Sequence, residues 1–577
     1  MQIRMIASTV IAAMGVMAAG SGNCAAAPPA ADRSPTEADL VLRNAQIYTP
    51  TGWAHAVAIK RGVIVAIGAE DAVKAYLSSN PKIMDLQGAT VLPGLHDMHV
   101  HPLGAGQTAL GCNFPQGSDQ KLVLATIQKC VAAHKKGEWI VGGQWDAASY
   151  GQESPDRQQL DRVAPDNPVA LTDISLHSLW VNSKALALAG ITATTPNPPG
   201  GIIEHNARGE VTGVLRESAG GLVRKLIPAF TPEQNTKALQ WSLQLMLSYG
   251  ITSFTDAAVD EAGMRAYATL SDQGALKQHV VGCLLWGHSV IGGAENQLDY
   301  IGRRNLYARE RFSPSCIKMF LDGVPTDSHT AAMIAPYEHV DDPHDPRAKG
   351  ILMVPAQQLN ADVIRFDAQG FTVKFHAAGD AAVRAALDAI EAARKANGFG
   401  PQMHNVAHNS FVQMNDIRRA RAIEATFEFS PYIWFPNPII PDIVKAVGDE
   451  RMKRWIPVKD AIDAGALVIP GSDWSVVPSV NPWLAMETLV TRKAPGGSGP
   501  ELGSAEKIAL AQALDLFTVN SARQMGNRNR VGTLEQGLRA DLVVLDRNPF
   551  EIAVTQVHDT RVKMTMIDGE VVYRAPE

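Results

Sequence analysis

The stretch Val91–Pro102, VLPGLHDMHVHP, is the part of the sequence from which the fold of this chain can be worked out. A short apolar run ends at a Pro-Gly pair and is followed by the polar residues His96, Asp97, His99 and His101. In an extended strand, side chains alternate between the two faces, so His99 and His101 project from the same face. Two imidazoles in this arrangement favour a metal site, because histidine is a common ligand of zinc and related ions. A histidine-rich strand end that faces solvent is the alternative.

The length of the chain, 577 residues, predicts more than one hydrophobic core. We expect one large barrel and a smaller domain. Charged residues make up 19% of the sequence, and the formal net charge is -6 at pH 7. No excess of basic residues points to nucleic acid as a partner, and so mild a balance does not indicate the charge of a substrate.

The N-terminus has the pattern of a secretory signal peptide over residues 1–27. Arg4 precedes an apolar run, Met5–Ala19, and small residues follow at Ala25–Ala27. The run is too short for a good membrane anchor, so we expect no stable membrane insertion after signal removal. The residues before Cys24 do not form a convincing lipobox, which argues against a lipid anchor. The pattern therefore predicts export to the periplasm or the medium.

Four further cysteines leave the disulfide pattern open. An oxidising compartment permits disulfides, and Cys112 and Cys130 lie within one segment of the chain. Cys283 and Cys316 lie in apolar, strand-like runs, where we expect them to act as small core residues. The sequence contains no Cys-x-x-Cys pair, which excludes a zinc ribbon or a redox motif of that type.

Both ends of the chain carry strand-like segments that predict a small β-sandwich. Asp39–Tyr48 and Ala56–Gly68 are rich in β-branched residues and are separated by turn residues, which indicates antiparallel strands. Ala540–Asp546 and Val562–Tyr573 have the same character. We therefore expect the two ends of the chain to meet in one domain.

Between these ends, apolar segments alternate with helical patterns. The strand candidates are Gly250–Asp256, Val280–Trp286, Cys316–Leu321, Phe371–His376, Asn405–His408, Thr426–Pro431 and Ala466–Pro470. The helical candidates include Pro232–Ser248, Ala381–Asn397 and Ala505–Ala522. Short buried strands that alternate with helices predict a parallel sheet and, at this length, a closed (β/α)8 barrel of the TIM type.

The segment Gly104–Phe230 does not follow this alternation. We interpret it as an insertion that caps or frames the site of the barrel. The predicted organisation therefore begins with a signal peptide at residues 1–27. A β-sandwich is formed by residues 28–92 together with 526–577. The barrel covers residues 93–525 and contains the insertion around 104–230.

Polar side chains stand in or directly after the predicted strands, at the end of the barrel where active sites lie. Each of them lies in or closes an otherwise apolar segment, in which an unpaired polar group would be costly. Besides the two histidines of the first strand, they are Lys318, Asp322, His376, His408 and Asp473, and Asp380 follows four residues after His376. One such position supports a metal site weakly, but a series over separate strands favours it strongly.

These motifs resemble those of the amidohydrolase superfamily of metal-dependent hydrolases. The resemblance is carried, in chain order, by PGLHDMHVHP, IKMFLDG, HAAGDAAV, VAHNS and GSDWSV, and by the closing stretches FTVNSAR and VGTLEQGLRADLVVLD. Within the superfamily, the family 3 branch that includes N-substituted formamide deformylases is resembled by WIVGGQWD, LHSLWVNSKALALAGI and GEVTGVLRE. The resemblance covers essentially the whole mature chain, and it specifies the superfamily far better than the substrate.

The resemblance implies a ligand set for one or two divalent metal ions, with Zn²⁺ as the expected metal. The more buried ion would be bound by residues of the first and last strands, and the second ion by two histidines from the middle of the barrel. Carried over onto this sequence, these ligands are His99, His101 and Asp473 for the buried ion, and His376 and His408 for the second.

Lys318 matches a position at which the superfamily often has a carboxylated lysine that bridges two metals. An ammonium group cannot ligate a cation, whereas the carbamate, N6-carboxylysine, presents two anionic oxygens that suit a divalent ion. The alternative is an ordinary lysine that pairs with a carboxylate such as Asp322.

The resemblance also implies hydrolysis of a carbon–nitrogen bond in an N-acyl or N-formyl small molecule. A hydroxide activated by the metal would attack the carbonyl carbon, and Asp473 would take the proton and pass it to the leaving amine. The same site could instead cleave an ester, a lactone or a carbamate. A non-catalytic metal- or solute-binding protein is a third alternative, against which the complete ligand set argues. The acyl group, the amine and any homo-oligomer are left open.

Two aromatic residues of the insertion are candidates for substrate binding. His177 lies in the stretch HSLWVN, where it could contact the substrate or have a structural role. Trp145 could form an apolar wall for the substrate or be a buried structural tryptophan, and Asp146 beside it could orient a ligand. His96 departs from the superfamily pattern, which usually has an apolar residue there. It could support a metal ligand from behind, but we expect it to pack.

Overall fold

The structure of the chain is a computed structural model. It describes residues 36–115, 117–145, 155–173, 178–198, 201–287, 297–326, 329–340, 342–433 and 439–576. The predicted signal peptide with Cys24 and the candidates Asp146 and His177 lie outside the described residues.

Seven short strands open the described part of the chain. They are β1 (Leu40–Arg43), β2 (Gln46–Thr49), β3 (Gly52–Ala54), β4 (Ala56–Lys60), β5 (Val63–Gly68), β6 (Lys82–Asp85) and β7 (Thr90–Pro93). β1 and β4 pair antiparallel, which confirms the expected pairing of the first two segments. Each predicted segment is nevertheless divided in two, because Asn44 and Arg61 adopt φ angles of 55° and 48° that interrupt an extended strand.

The next strand begins the barrel. β8 (Leu95–Val100) is buried along its whole length, polar residues included. Helix α1 (Pro102–Leu110) begins directly after His101, with proline at its first position. Proline is favoured there because the N–H group that it lacks would have no partner within the helix.

The segment that breaks the barrel rhythm forms a sheet of its own. Its elements are β9 (Cys112–Asn113), α2 (Gln120–Ala133), β10 (Ile140–Trp145), α3 (Arg157–Val163), β11 (Val169–Asp173), β12 (Ser178–Val181), α4 (Ser183–Leu188), β13 (Gly201–His205), β14 (Val211–Glu217) and α5 (Gly221–Arg224). The strand order is β13-β14-β12-β11-β10-β9. Consecutive residues of β11 and β12 belong to two different apolar clusters, so the sheet is buried on both faces.

The barrel continues after this insertion with alternating helices and strands. They are α6 (Pro232–Ser248), β15 (Ile251–Val259), α7 (Glu261–Asp272), β16 (His279–Leu285), α8 (Gln297–Gly302), β17 (Phe312–Phe320), α9 (Ala356–Ala368), β18 (Thr372–Ala377), α10 (Asp380–Asn397), β19 (Asn405–His408), α11 (Met414–Ala420), β20 (Thr426–Phe429), α12 (Ile439–Val447), α13 (Asp449–Met452), α14 (Val458–Asp463) and β21 (Leu467–Pro470). Helix α6 has the predicted bounds, and Thr231 and Gln234 form a capping box at its start.

Eight parallel strands form the barrel sheet in the order β21-β20-β19-β18-β17-β16-β15-β8. A parallel bridge between Val100 and Trp474 joins the first strand to the segment after the last, and the N–H of His101 donates to the carbonyl of Trp474 at 2.5 Å. The predicted (β/α)8 architecture is thereby confirmed. The carboxyl ends of all eight strands meet at one end of the barrel, which is where this fold places its sites.

The last part of the chain returns to the N-terminal strands. It contains α15 (Pro482–Thr491), α16 (Leu510–Asp515), α17 (Ser521–Gln524), β22 (Leu542–Leu545), β23 (Val562–Ile567) and β24 (Glu570–Arg574). The helix predicted at Ala505–Ala522 is therefore shorter, and a π-helical turn separates α16 from α17. Strands from both ends form one sheet, β24-β23-β22-β7-β2-β3, which shares an apolar core with the sheet β5-β4-β1-β6.

Two disulfides link cysteines of this fold. Cys112 is bonded to Cys130 inside the insertion. Cys283 and Cys316 are buried, as expected of core residues, but they also form a disulfide between the neighbouring strands β16 and β17, which the sequence did not indicate. Within the described ranges, no helix is both long enough and apolar enough to span a membrane.

Candidate metal centre

The six predicted ligands come from five strands of the barrel or from the residues directly after them. The parallel register places Lys318 beside Lys374, Phe320 beside His376, and Ala377 beside His408. The side chains of β17, β18 and β19 therefore reach the same level of the barrel. His99 and His101 reach this level from β8, and Asp473 follows β21 by three residues.

The first and last strands bring three of these side chains together. The Nε2 atoms of His99 and His101 lie 3.5 and 3.3 Å from Oδ1 of Asp473. One potential ligand atom from each of the three residues lies within 4.8 Å of the other two. Such a group of two imidazoles and a carboxylate fits the donor set of zinc and related divalent ions.

The other two histidines lie directly against this group. The ring centroids of His376 and His408 are 4.5 Å apart, and those of His99 and His408 are 4.9 Å apart. Burial is the main cause that lowers the pKa of His99 and of His408 well below the usual value. Both imidazoles are therefore neutral at neutral pH, which is the form that ligates a metal.

Three of the histidines have an acceptor or hydroxyl partner on Nδ1. For His99 the partner is Glu428 at 2.5 Å, for His376 it is Asp322 at 3.1 Å, and for His408 it is the hydroxyl of Ser430 at 3.1 Å. An imidazole held through Nδ1 presents its Nε2 lone pair in a fixed direction, as metal-binding histidines generally do. The arrangement thus fits a bound metal on its own geometry.

Lys318 is buried in the same cluster, with 1% of its surface exposed. Its Nζ atom lies 3.3 Å from Nε2 of His99, and no carboxylate of the described residues lies within ion-pair distance. Burial, followed by the charge of Lys374, lowers the pKa of Lys318 to about 7. Much of the amine is therefore uncharged at neutral pH.

Asp322 does not pair with Lys318, which was the alternative for that lysine. Its two oxygens accept hydrogen bonds from Nδ1 of His376 and from the backbone N–H groups of Ala332, Ala378 and Gly379, at 2.8–3.1 Å. These four donors saturate the carboxylate. Asp322 therefore orients a histidine of the cluster and fixes the loop that follows β18.

Backbone strain marks two of the cluster residues. His408 and Asp473 adopt φ angles of 75° and 62°, in a region that residues other than glycine and asparagine seldom occupy. Each such conformation costs on the order of 1–3 kcal/mol, and strain of this kind concentrates at functional sites. The chain turns sharply at both strand ends and so directs the side chains inward.

Two charged residues of the site were not predicted. Glu428 of β20 binds His99, and Lys374 of β18 donates to Glu428, to the carbonyl of Met98 at 2.9 Å and to Oδ1 of Asn405 at 3.0 Å. The available signal was a charged residue in the middle of the apolar strands TVKFHA and TFEF, where a stray charge is costly.

The structure gives the remaining candidates different settings. Trp145 is buried in the core of the insertion, where its indole N–H donates to the carbonyl of Leu171 at 3.0 Å. This hydrogen bond supports a structural role for Trp145. A contact between Trp145 and a substrate stays a prediction. His96 is buried, and neither ring nitrogen has a hydrogen-bond partner among the described residues, which agrees with a packing role.

A cavity of about 410 Å³ lies between the insertion and the loop after β21. Asn113, Phe114 and Pro115 line one side, and Gln144 and Pro478 complete the lining. These residues are apolar or uncharged, so the cavity suits an uncharged group. Asn113 lies three residues after α1, the helix that begins after His101, and Pro478 lies five residues after Asp473. The cavity lining is therefore near two residues of the cluster in sequence.

The chain matches one protein family and several relatives over most of its length. A model described as "Amidohydrolase family" matches residues 82–573 of the chain. The protein YtcJ of Bacillus subtilis (strain 168) is 29% identical over 529 residues, which cover 90% of this chain and 96% of YtcJ. The N-substituted formamide deformylase of Arthrobacter pascens is 27% identical over 551 residues, which cover 93% of this chain and 98% of that enzyme.

A solved structure has the same fold. An uncharacterised metal-dependent hydrolase of Pyrococcus furiosus aligns with a TM-score of 0.71 at 24% sequence identity, and the alignment covers 89% of this chain and 100% of that chain. At this identity the similarity shows the fold alone.

Proposed function

The chain belongs to the amidohydrolase family, and we therefore propose that it is a metal-dependent hydrolase that cleaves the carbon–nitrogen bond of an N-acyl or N-formyl compound. The observation that carries this proposal is the convergence of His99, His101 and Asp473 within 4.8 Å at the carboxyl end of the barrel. The neighbouring His376 and His408, whose ring centroids lie 4.5 Å apart, add two imidazoles beside this group.

In this proposal, His99, His101 and Asp473 hold the more buried metal ion, and His376 and His408 hold the second. A divalent ion, for which Zn²⁺ is the first candidate, supplies a nucleophile at neutral pH and polarises the carbonyl group. Asp473 is 6% exposed and touches both His99 and His101, so it is placed to accept a proton and pass it to the leaving amine.

We propose further that Lys318 is carboxylated and bridges the two ions. Its lowered pKa leaves an uncharged amine that can react with carbon dioxide, and the lack of a carboxylate partner favours this reading over an ordinary ion pair. A protein incubated with ¹³C-labelled bicarbonate and Zn²⁺ should show one carbamate resonance, and Lys318→Met should lack it. If Lys318→Met gave the same carbamate resonance, the carbamate would lie on another residue and the proposal would be wrong.

The cavity and one relative support the choice of substrates to assay. The lining of the cavity is apolar or uncharged, which supports an uncharged group on the substrate. The Arthrobacter pascens relative is an N-substituted formamide deformylase, so N-substituted formamides are the first compounds to assay, followed by N-acyl amines and N-acyl amino acids. Esters, lactones and carbamates belong in the same screen, because an activated hydroxide attacks any of these carbonyl groups.

The experiment that tests the function combines metal analysis with this screen. Purified protein should carry one or two divalent ions per chain, a chelator should abolish hydrolysis, and added metal should restore it. His99→Ala and His101→Ala should lose the buried ion, because removing one ligand of a multi-residue site lowers affinity steeply. Full metal content and full activity in both variants would disprove the proposal that His99 and His101 bind the metal.

We also propose that the protein is exported. Two disulfides among its five cysteines support an oxidising compartment, and the Arg4 and Met5–Ala19 pattern supports a cleaved signal. Protein from the native host should be recovered from the periplasm or medium, with an N-terminus within a few residues of Ala27. Cytoplasmic protein that retains Met1 would contradict the proposal.

A further inference from the structure

A buried carboxylate that is no ligand of the proposed centre lies directly behind one of its histidines. Glu428 of β20 has no exposed surface, and its Oε1 atom lies 2.5 Å from Nδ1 of His99. Strand β21 lies between β20 and β8 in the sheet, so this contact does not follow from strand pairing. It is made by side chains inside the barrel.

Lys374 compensates the charge of this carboxylate. It comes from β18, four strands away from β8 around the barrel, and it is also fully buried. Its ammonium group has three acceptors, namely Glu428, Oδ1 of Asn405 at 3.0 Å and the carbonyl of Met98 at 2.9 Å. Lys374 thus binds the backbone next to His99 as well as the carboxylate that holds the ring of His99.

From this geometry we propose that Glu428 and Lys374 are positioning residues of the metal centre. Glu428 accepts the Nδ1 proton of His99, and this fixes the tautomer and the ring so that Nε2 faces Asp473 and Lys318. Lys374 holds Glu428 in place and keeps its charge balanced inside the barrel. The inference rests on the proposed function, since it assigns these residues to the affinity of the site for its metal.

A purely structural role for the pair is the competing explanation. A buried ion pair that loses one partner destabilises a protein wherever it lies, so loss of activity alone would decide nothing. The chain offers a matched control. Glu487 of α15 is equally buried, and its Oε2 atom lies 2.6 Å from Nδ1 of His558, a histidine outside the metal cluster.

The test compares Glu428→Gln with Glu487→Gln, both purified as full chains and freed of metal. Dissociation constants for Zn²⁺ and Co²⁺ are measured by competition with a chelator, and the absorption spectrum of the Co²⁺ form reports the ligand field. We expect Glu428→Gln to weaken the tighter site about 10–100-fold and to change the Co²⁺ spectrum, as the loss of a partner behind a metal ligand typically does. Glu487→Gln should bind both metals within about twofold of the wild type.

Lys374→Met combined with Glu428→Leu is the second variant, because it removes both charges and the acceptor of the His99 Nδ1 proton, and leaves no unpaired ion in the barrel. We expect this double variant to fold even if Glu428→Gln alone does not. It should show the same weakened metal binding. Wild-type affinity and a wild-type Co²⁺ spectrum in either folded variant would overturn the positioning role. A wild-type protein that binds neither metal would instead disprove the proposed function itself.

Discussion

Asp473 is proposed both to bind the metal ion and to act as the base, and a single substitution distinguishes these two roles. Its carboxylate touches His99 and His101, and its backbone N–H donates to the carbonyl of His99 at 2.7 Å. Asp473→Asn keeps the size and one oxygen for the metal but removes the base. We expect bound metal to fall only partly, while kcat falls by about two orders of magnitude or more. Measurement of kcat and metal content on one reconstituted sample checks this, and near-normal turnover would remove Asp473 from the mechanism.

His96 predicts a pH dependence of stability. Burial is the main cause that lowers the pKa of His96 from 6.5 to about 3, so the folded protein keeps the ring neutral while the unfolded chain takes up a proton. Its contribution to the free energy of unfolding is therefore present above pH 6.5 and is lost progressively as the pH falls towards 3.

His96→Leu should remove this loss. Between about pH 7 and about pH 5, the free energy of unfolding of the wild type should fall by about 2 kcal/mol relative to that of the variant. Denaturant titration of both metal-free proteins at the two pH values measures the difference, and the other histidines cancel in it. A constant difference across this range would show that His96 is accessible to protons in the folded state.

At the scale of elements, the disulfide between β16 and β17 includes Cys316, which precedes Lys318 by two residues on β17. It closes a loop across a sequence separation of 33 residues, against 18 for the Cys112–Cys130 bond. Replacing Cys283 and Cys316 by alanine should lower the free energy of unfolding by about 3.7 kcal/mol, because a longer closed loop restricts the unfolded chain more.

Replacing Cys112 and Cys130 in the same way should lower the free energy of unfolding by about 0.5 kcal/mol less. Denaturant unfolding without reductant measures both variants. A larger loss for the shorter loop would show that local packing, and not loop closure, sets the contribution of these bonds.

At the scale of the whole molecule, an ionic cluster joins the barrel to the sandwich at the end opposite the metal centre. Arg311, the residue before β17, donates to Asp568 at 2.7 Å and to the carbonyl of Lys277 at 2.7 Å. Arg539 approaches the other oxygen of Asp568 at 2.8 Å. His279, Asp541 and Asp568 lie close enough for a metal, but the two guanidinium groups already neutralise Asp568 and disfavour a cation there.

Arg311→Met should therefore weaken the junction and spare the chemistry. We expect the free energy of unfolding to fall by about 1–2 kcal/mol, because Arg311 is three-quarters buried and Asp568 loses a charged hydrogen bond. The value of kcat/KM should stay within about twofold, since the site lies at the far end of the strands. Lys136→Met, which breaks the exposed pair with Asp166, is the control and should cause no measurable loss. A drop in kcat/KM with unchanged stability would contradict this division of roles.

Much of this molecule could be predicted from local sequence. The spacing of His99 and His101, the alternation of apolar strands with helices, and polar residues at several strand ends are all patterns within a few residues, since side-chain direction repeats every two residues in a strand. They predicted the barrel, and the bounds of α6 and β19 agree with the prediction to the residue.

Only the tertiary structure decided which side chains meet inside the barrel. Glu428 and His99 are 329 residues apart, and no local pattern indicates that one lies behind the other. The pairing of Cys283 with Cys316 depends in the same way on the register of β16 against β17. Register and closure are set by packing of the whole barrel, whereas periodicity records only which face of each element is buried.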